Sequence, residues 1–135
     1  MDLEKSLNIS AAGMRAQGTR LRVIAENIAN ANSTAQTPGG EPYRRKLVTF
    51  DNELDRALGL ETVRVDSIVA DRSAFTRRYE PGHPAADEEG YVLTPNVNSL
   101  MEMADLREAQ RSYEANLKAI ESSRSMLQKT IDILR

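Results

Sequence analysis

Residues 3–28 read LEKSLNISAAGMRAQGTRLRVIAENI, and the spacing of their apolar positions decides the fold. Leu3, Leu7, Ser10, Met14, Gln17, Leu21, Ile24 and Ile28 alternate steps of four and three, and six of the eight are apolar. That is the seam of a helix made to lie along another helix. A second row shares Leu7, Met14, Leu21 and Ile28 and adds Ala11, Gly18 and Ala25. The helix therefore offers large residues on one flank and small ones on the other. Gly18 lowers helix propensity by roughly 1 kcal/mol relative to Ala, so it is read as a point where a neighbouring helix comes closest.

The other end of the chain repeats the pattern at greater length. Met103, Leu106, Gln110, Tyr113, Leu117, Ile120, Arg124, Leu127, Ile131 and Leu134 step by three and four, and eight of the ten are apolar. Ala109, Ser112, Asn116, Ala119 and Ser123 form a small flanking row. Ser99 and Glu102 have the spacing of a capping box ahead of this run, and Pro95 bars an earlier start. At about 1.5 Å per residue the helix would reach roughly 54 Å, too long for a compact 15.0 kDa globule. Packed on each other, the two helices are expected to bury their large seams and to leave both small flanks for further copies. Head-to-tail helical assembly follows from such a surface.

Between the helices the composition changes. Pro38, Pro42, Pro81 and Pro84 and five of the seven glycines fall in residues 31–95, and Pro95 closes the block. Tyr43–Phe50, Val63–Val69, Phe75–Tyr79 and Tyr91–Leu93 favour strand. Asp51 is expected to cap a short turn through Leu54 and Leu58 ending at Gly59, and Pro81-Gly82 to centre a type II turn. The expected fold is mainly α: long N- and C-terminal helices packed as an antiparallel coiled-coil pair, with a small irregular β-rich insert between them. Residues 1–32 form the N-terminal core helix, 33–95 an extended, β-rich middle segment and 96–135 the C-terminal core helix.

The rest of the sequence narrows function mainly by exclusion. With no Cys and one His, thiolate metal sites, disulfides, Cys nucleophiles and multi-His metal centres are ruled out. A net charge of −2 argues against broad nucleic-acid binding, and no apolar run approaches the ~20 residues of a membrane span. The start, Met1-Asp2-Leu3-Glu4-Lys5-Ser6, has neither a basic nor an apolar leader region, so any export is expected to proceed without a cleaved secretory signal. Asp87, Glu88 and Glu89 read as a solvated acidic turn, and His83 as a turn residue bonded locally. Neither an enzymatic function nor a cofactor is expected. Asn27, Asn30 and Asn32 occupy helix positions that Glu, Lys or Gln would serve better; with Arg44, Arg45 and Asn116 they are expected to make polar contacts between subunits. The subunit-interface seams are Leu3, Leu7, Ala11, Met14, Gly18, Leu21, Ile24 and Ile28, and Met103, Leu106, Tyr113, Leu117, Ile120, Leu127, Ile131 and Leu134.

Ser10–Gln17 followed by Ile24–Asn32 resembles the N-terminal signature of bacterial flagellar rod and hook proteins, and Arg111–Asn116 is similar to their C-terminal helix. Pro42–Lys46, Tyr79–Asp87, Gly90–Val92 and Pro95–Asn98 resemble a short member of the proximal rod. This resemblance implies a structural subunit of the basal-body rod that passes through the flagellar type III export apparatus. It also implies stacking with its own copies and related rod proteins into a hollow, torque-transmitting shaft across the periplasm, in contact with basal-body ring and junction proteins. A non-flagellar coiled-coil scaffold or an export-linked chaperone is the rival reading of two terminal heptad helices.

Overall fold

The computed structural model describes residues 2–135. Asp2 starts the first helix, α1 (Leu3–Ala29), by accepting the Glu4 N–H on its carboxylate at 3.0 Å, the usual N-cap contact. At the other end Asn30 donates from its side-chain amide to the Glu26 carbonyl at 2.9 Å and ends the helix. β1 (Lys46–Asp55) and β2 (Leu60–Ala70) form one two-stranded sheet. The reversal between them lies at Gly59, whose φ is 63°, and whose N–H bonds the Asp55 carbonyl at 2.8 Å. The short turn expected from Asp51 is therefore absent. Strand β1 continues to Asp55, whose carboxylate takes the Ala57 and Leu58 N–H groups.

β3 (Thr76–Tyr79) and β4 (Tyr91–Thr94) pair antiparallel, Thr76 opposite Thr94 and Tyr79 opposite Tyr91. The rings of Tyr79 and Tyr91, edge to face with centroids 5.3 Å apart, fix this register. Pro81-Gly82 does sit in a turn, closed from the His83 N–H to the Glu80 carbonyl at 3.0 Å. It is not type II, however, because the positive φ falls on Gly90 (83°) and not on Gly82. α2 spans Ser99–Leu134. Its cap is Asn98, which accepts the Leu100 and Met101 N–H groups. The capping box expected of Ser99 and Glu102 does not form, since the Glu102 carboxylate is engaged elsewhere in the fold.

The chain gathers into two compact units. The first holds residues 1–21, 48–67 and 107–135, and the second 22–47 and 68–106. In the first, the helices run antiparallel. Ser6 Oγ meets Ser123 Oγ at 3.3 Å, and a Cβ on Gly13 would lie 2.8 Å from the Asn116 amide. A step of seven along α1 thus matches a step of seven back along α2. Ala109, fully buried, continues the row, and Arg20 pairs with Glu108 at 3.6 Å at its edge. Ala12 and Ala16, also buried, line a cleft with Thr62, Val63 and Val65 of β2. In the second unit Val23, Ile24 and Val92 supply the apolar core, with Asn27 and Glu102 buried beside them.

The two long terminal helices pack on each other with the β hairpins between them, as the sequence predicts, but through a different face. α2 turns its small row inward, and its large seam is only partly covered. Leu106, Tyr113 and Ile120 are half-buried, while Met103, Leu117, Leu127, Ile131 and Leu134 are exposed. Small residues let the two backbones approach closely, and at that distance no room remains for facing leucines. The close-approach glycine is likewise Gly13. Gly18 has no heavy atom within 4 Å of where a Cβ would sit.

Candidate functional site

Two features of the chain bear on function: a polar joint in the second unit and an uncovered apolar face on α2. The joint is built where α1, the lead-in to β1 and the first turn of α2 meet. Asn27 has its whole amide bonded. Its Oδ1 accepts the Tyr43 hydroxyl at 2.8 Å and the Lys46 N–H at 3.0 Å. Its Nδ2 donates to the Lys46 carbonyl at 2.9 Å and to Glu102 at 3.3 Å. With both donors and both lone pairs used, a buried Asn carries no desolvation deficit. Lys46 ion-pairs with Glu26 at 3.2 Å, which holds the Glu26 carboxyl below its ordinary value.

Arg45 is the hub for the acids. Its Nε donates to Glu102, its Nη1 to Asp71 at 3.2 Å, and Asp105 lies 3.7 Å from its Nη2. Burial works against the Arg45 charge, but Glu102 and Asp71 outweigh it and raise its pKa. Asp71 is held low first by the Ser73 N–H on its carboxylate, at 2.9 Å, and then by Arg45. Burial pushes the Tyr43 hydroxyl up. Asn96 joins the same centre, accepting the Arg45 N–H at 2.8 Å and donating to the Asp71 carbonyl at 3.0 Å. Arg44 stacks 4.1 Å over Phe75 and donates to the Asp71 carbonyl at 2.9 Å.

Most of the residues expected to make polar contacts between subunits have partners inside their own chain. Asn27, Arg44 and Arg45 are engaged inside their own chain and join the second unit together. Asn30 donates to the Glu26 carbonyl and accepts from Ser33. Asn116 donates to the Ser112 carbonyl at 3.0 Å and packs on Gly13. Asn32 lies exposed. His83 is tied locally through Nδ1, which accepts the Ala85 N–H at 3.0 Å. That leaves Nε2 to donate to Thr34 at 3.0 Å, a longer-range tie than a turn residue requires. Sequence reasoning missed Glu102, Asp71 and Asn96 as partners. Glu102 looked like a capping residue, and nothing local marks Asp71 as the acid that Arg45 needs. The arrangement is a fixed joint: its acids and bases are committed to one another. Among the described residues no group of three or more His, Asp or Glu side chains is placed to hold a metal ion.

The second feature is what the helix pair leaves open. On α1, Leu3, Leu7, Ala11, Met14, Gly18, Leu21 and Ile28 are half-buried and Ile24 is buried. On α2, Leu117, Leu127 and Ile131 are each about 40% exposed and Leu134 is 80% exposed. Met103 is half exposed at the other end of the same helix, beside Leu100 and Met101. Apolar residues at heptad spacing left uncovered on a helix that is already paired mark a surface for other chains. Among the described residues no helix is long and apolar enough to cross a membrane.

Comparison with known proteins places both features in a setting. Residues 88–133, which include most of α2, match the family described as flagellar basal body rod FlgEFG protein C-terminal. The chain is 53% identical over 133 residues to the flagellar basal-body rod protein FlgC of Agrobacterium fabrum, covering 98% of this chain and 96% of that one. It is 40% identical over 135 residues to the protein of the same name from Salmonella typhimurium, covering 98% of each. The Borreliella burgdorferi protein of that name is also 40% identical, over 100% of this chain and 99% of its own.

Proposed function

Since this chain belongs to the flagellar basal-body rod protein FlgC family, we propose that the open face of α2 is the surface on which the rod is built. The protein is a structural, non-enzymatic subunit of the bacterial flagellar basal-body rod, and it assembles with other rod proteins. The finer reading is a proximal-rod position. There, copies of this chain and related subunits bury Leu117, Leu127, Ile131 and Leu134 against the half-buried α1 row of Leu3, Leu7, Met14 and Leu21. Residues 1–32 and 96–135 make the inner wall of a hollow shaft, and residues 33–95 face outward toward ring and junction proteins. The subunit arrives through the flagellar type III export apparatus with its N-terminus uncleaved, and the finished shaft carries torque.

One observation supports this most: heptad-spaced apolar residues remain uncovered on α2 after α1 has taken its place. Burying a leucine at a subunit contact contributes about 1.5–3 kcal/mol, repeated in every subunit. A charge at such a position must be desolvated without a partner, at several kcal/mol. Leu117→Asp is therefore expected to leave the free chain folded and exported but to remove it from isolated basal bodies and abolish swimming. Circular dichroism, immunodetection in purified rods and a motility assay read the three outcomes. Normal swimming would refute the assignment of this face.

A further inference from the structure

In the first unit the hairpin stands away from α1 and leaves an open cleft of about 430 Å³. This lies within the ~300–1,000 Å³ range of clefts that take up ligand-sized groups. Asn8 and Arg15 of α1 form one wall, and Glu53, Leu54, Asp55 and Arg56 near the hairpin tip, with Thr62, form the other. Leu54 is 57% exposed there, an aliphatic side chain on an otherwise polar rim. The hairpin end is acidic: residues 51–61 contain Asp51, Glu53, Asp55 and Glu61 against Arg56 alone.

The same unit carries an element with the opposite character. The register set by Ser6 with Ser123 and Gly13 with Asn116 puts Leu3, where α1 begins, across from Met126. Helix α2 runs on for two more turns to Leu134 with no α1 residue opposite. On these turns Met126, Lys129 and Ile133 share a face at i, i+3 and i+7. Met126 is 50% exposed and Ile133 is 83% exposed. Residues 124–135 contain Arg124, Lys129 and Arg135 against Asp132. The tail is thus basic and apolar, where the hairpin wall of the cleft carries Glu53 and Asp55 against Arg56, with one exposed leucine between them.

We propose that the overhanging end of α2 in one copy docks in the α1–hairpin cleft of a second copy, Ile133 against Leu54 and Lys129 against Glu53. This deepens the rod reading by naming which two elements of neighbouring subunits meet. The contact is heterologous, because the tail and the cleft are different surfaces, so each copy that offers a tail keeps its own cleft open and the arrangement propagates.

The lack of cysteine allows a direct test on the full chain. Chains carrying only Leu54→Cys are mixed with differently tagged chains carrying only Ile133→Cys and then oxidised; both positions are exposed, and circular dichroism verifies that the variants fold. The expected result is a mixed-tag disulfide dimer at about ten times the yield given by Leu54→Cys with Leu100→Cys. Adding Glu53→Lys to the first chain is expected to reduce the yield about tenfold through like charge against Lys129. Lys129→Glu on the second chain is expected to restore it. A yield equal to the control pair, or no restoration on charge exchange, overturns the proposal. So does cross-linking of Leu54→Cys in isolated rods to a different rod protein and never to this chain. Each of these leaves the rod reading standing, because that reading fails separately, on normal swimming by Leu117→Asp.

Discussion

In the first unit α1 and α2 meet through Ser6 and Ser123, Gly13 and Asn116, and the fully buried Ala109. In the second unit the same helices meet through Asn27 and Glu102, with Arg45, Asp71 and Lys46 gathered round them. The first contact is made of small groups and tolerates little added volume. The second is made of charges and amides and tolerates no missing partner. The difference indicates separate tasks. A polar joint admits one arrangement, as a buried Asn does at a coiled-coil seam. A close seam of small residues turns the large ones outward, where they can serve other chains.

The sharpest way to break this comparison is to remove the acid of the joint. Glu102→Leu leaves the Arg45 guanidinium and the Asn27 amide without their shared partner inside the second unit. Breaking a buried pair from one side costs about 3–5 kcal/mol, to be read as a fall in the denaturant midpoint. A change under about 1 kcal/mol would mean that the joint is ornamental to stability. Gly13→Leu attacks the other contact. It forces the Asn116 side chain aside, and overpacking of this kind costs about 1–3 kcal/mol. Gly18→Leu, on the same helix but with open space around it, is expected to keep the free chain at least as stable, since it relieves up to about 1 kcal/mol of glycine's helix penalty. If Gly18 is a close approach between subunits, this variant still yields fewer rods. Equal rod counts from Gly18→Leu and the parent chain would place that position against solvent.

The gentlest probe is acid. Glu26, Asp71 and Asp87 all have carboxyl pKa values lowered from ordinary values of 4.5, 3.8 and 3.8, and all three belong to the second unit. A lowered folded-state pKa contributes stability that is complete above the ordinary value and is lost as pH falls through the lowered one. Hydrogen exchange taken from pH 5 down to pH 3 is therefore expected to loosen Asn27, Lys46 and Tyr91 before the Ala109 region. Simultaneous loosening of both would remove the distinction between a charged joint and a neutral seam.

The two helices were legible in the sequence because steps of three and four persist across Leu3–Ile28 and Met103–Leu134, and Pro95 bars an earlier start to the second. The face by which they pair was not. Periodicity gives most weight to large residues, whereas close packing favoured Gly13, Ala109 and Asn116. The row Ala109, Ser112, Asn116, Ala119 and Ser123 was visible as a small flank, and its contact with α1 depends on how near two backbones can come, which a single strip of sequence does not encode. The joint was hidden for a different reason. Asn27, Arg45, Asp71, Asn96 and Glu102 are scattered over 75 positions, and each has a plausible local role of its own. Only the return of the chain to one place turns five ordinary polar residues into partners.

The contact between Ser6 and Ser123 joins positions 117 apart. Closing a loop of that length costs an entropy term of about 4 kcal/mol, by (3/2)RT ln n, before any native contact rewards it. Helix α1, first to leave the ribosome, has no helical mate until α2, the last quarter of the chain, emerges. Such high contact order makes folding late as well as slow. A chain of this topology completes its helix pair only after the final turns of α2 are free.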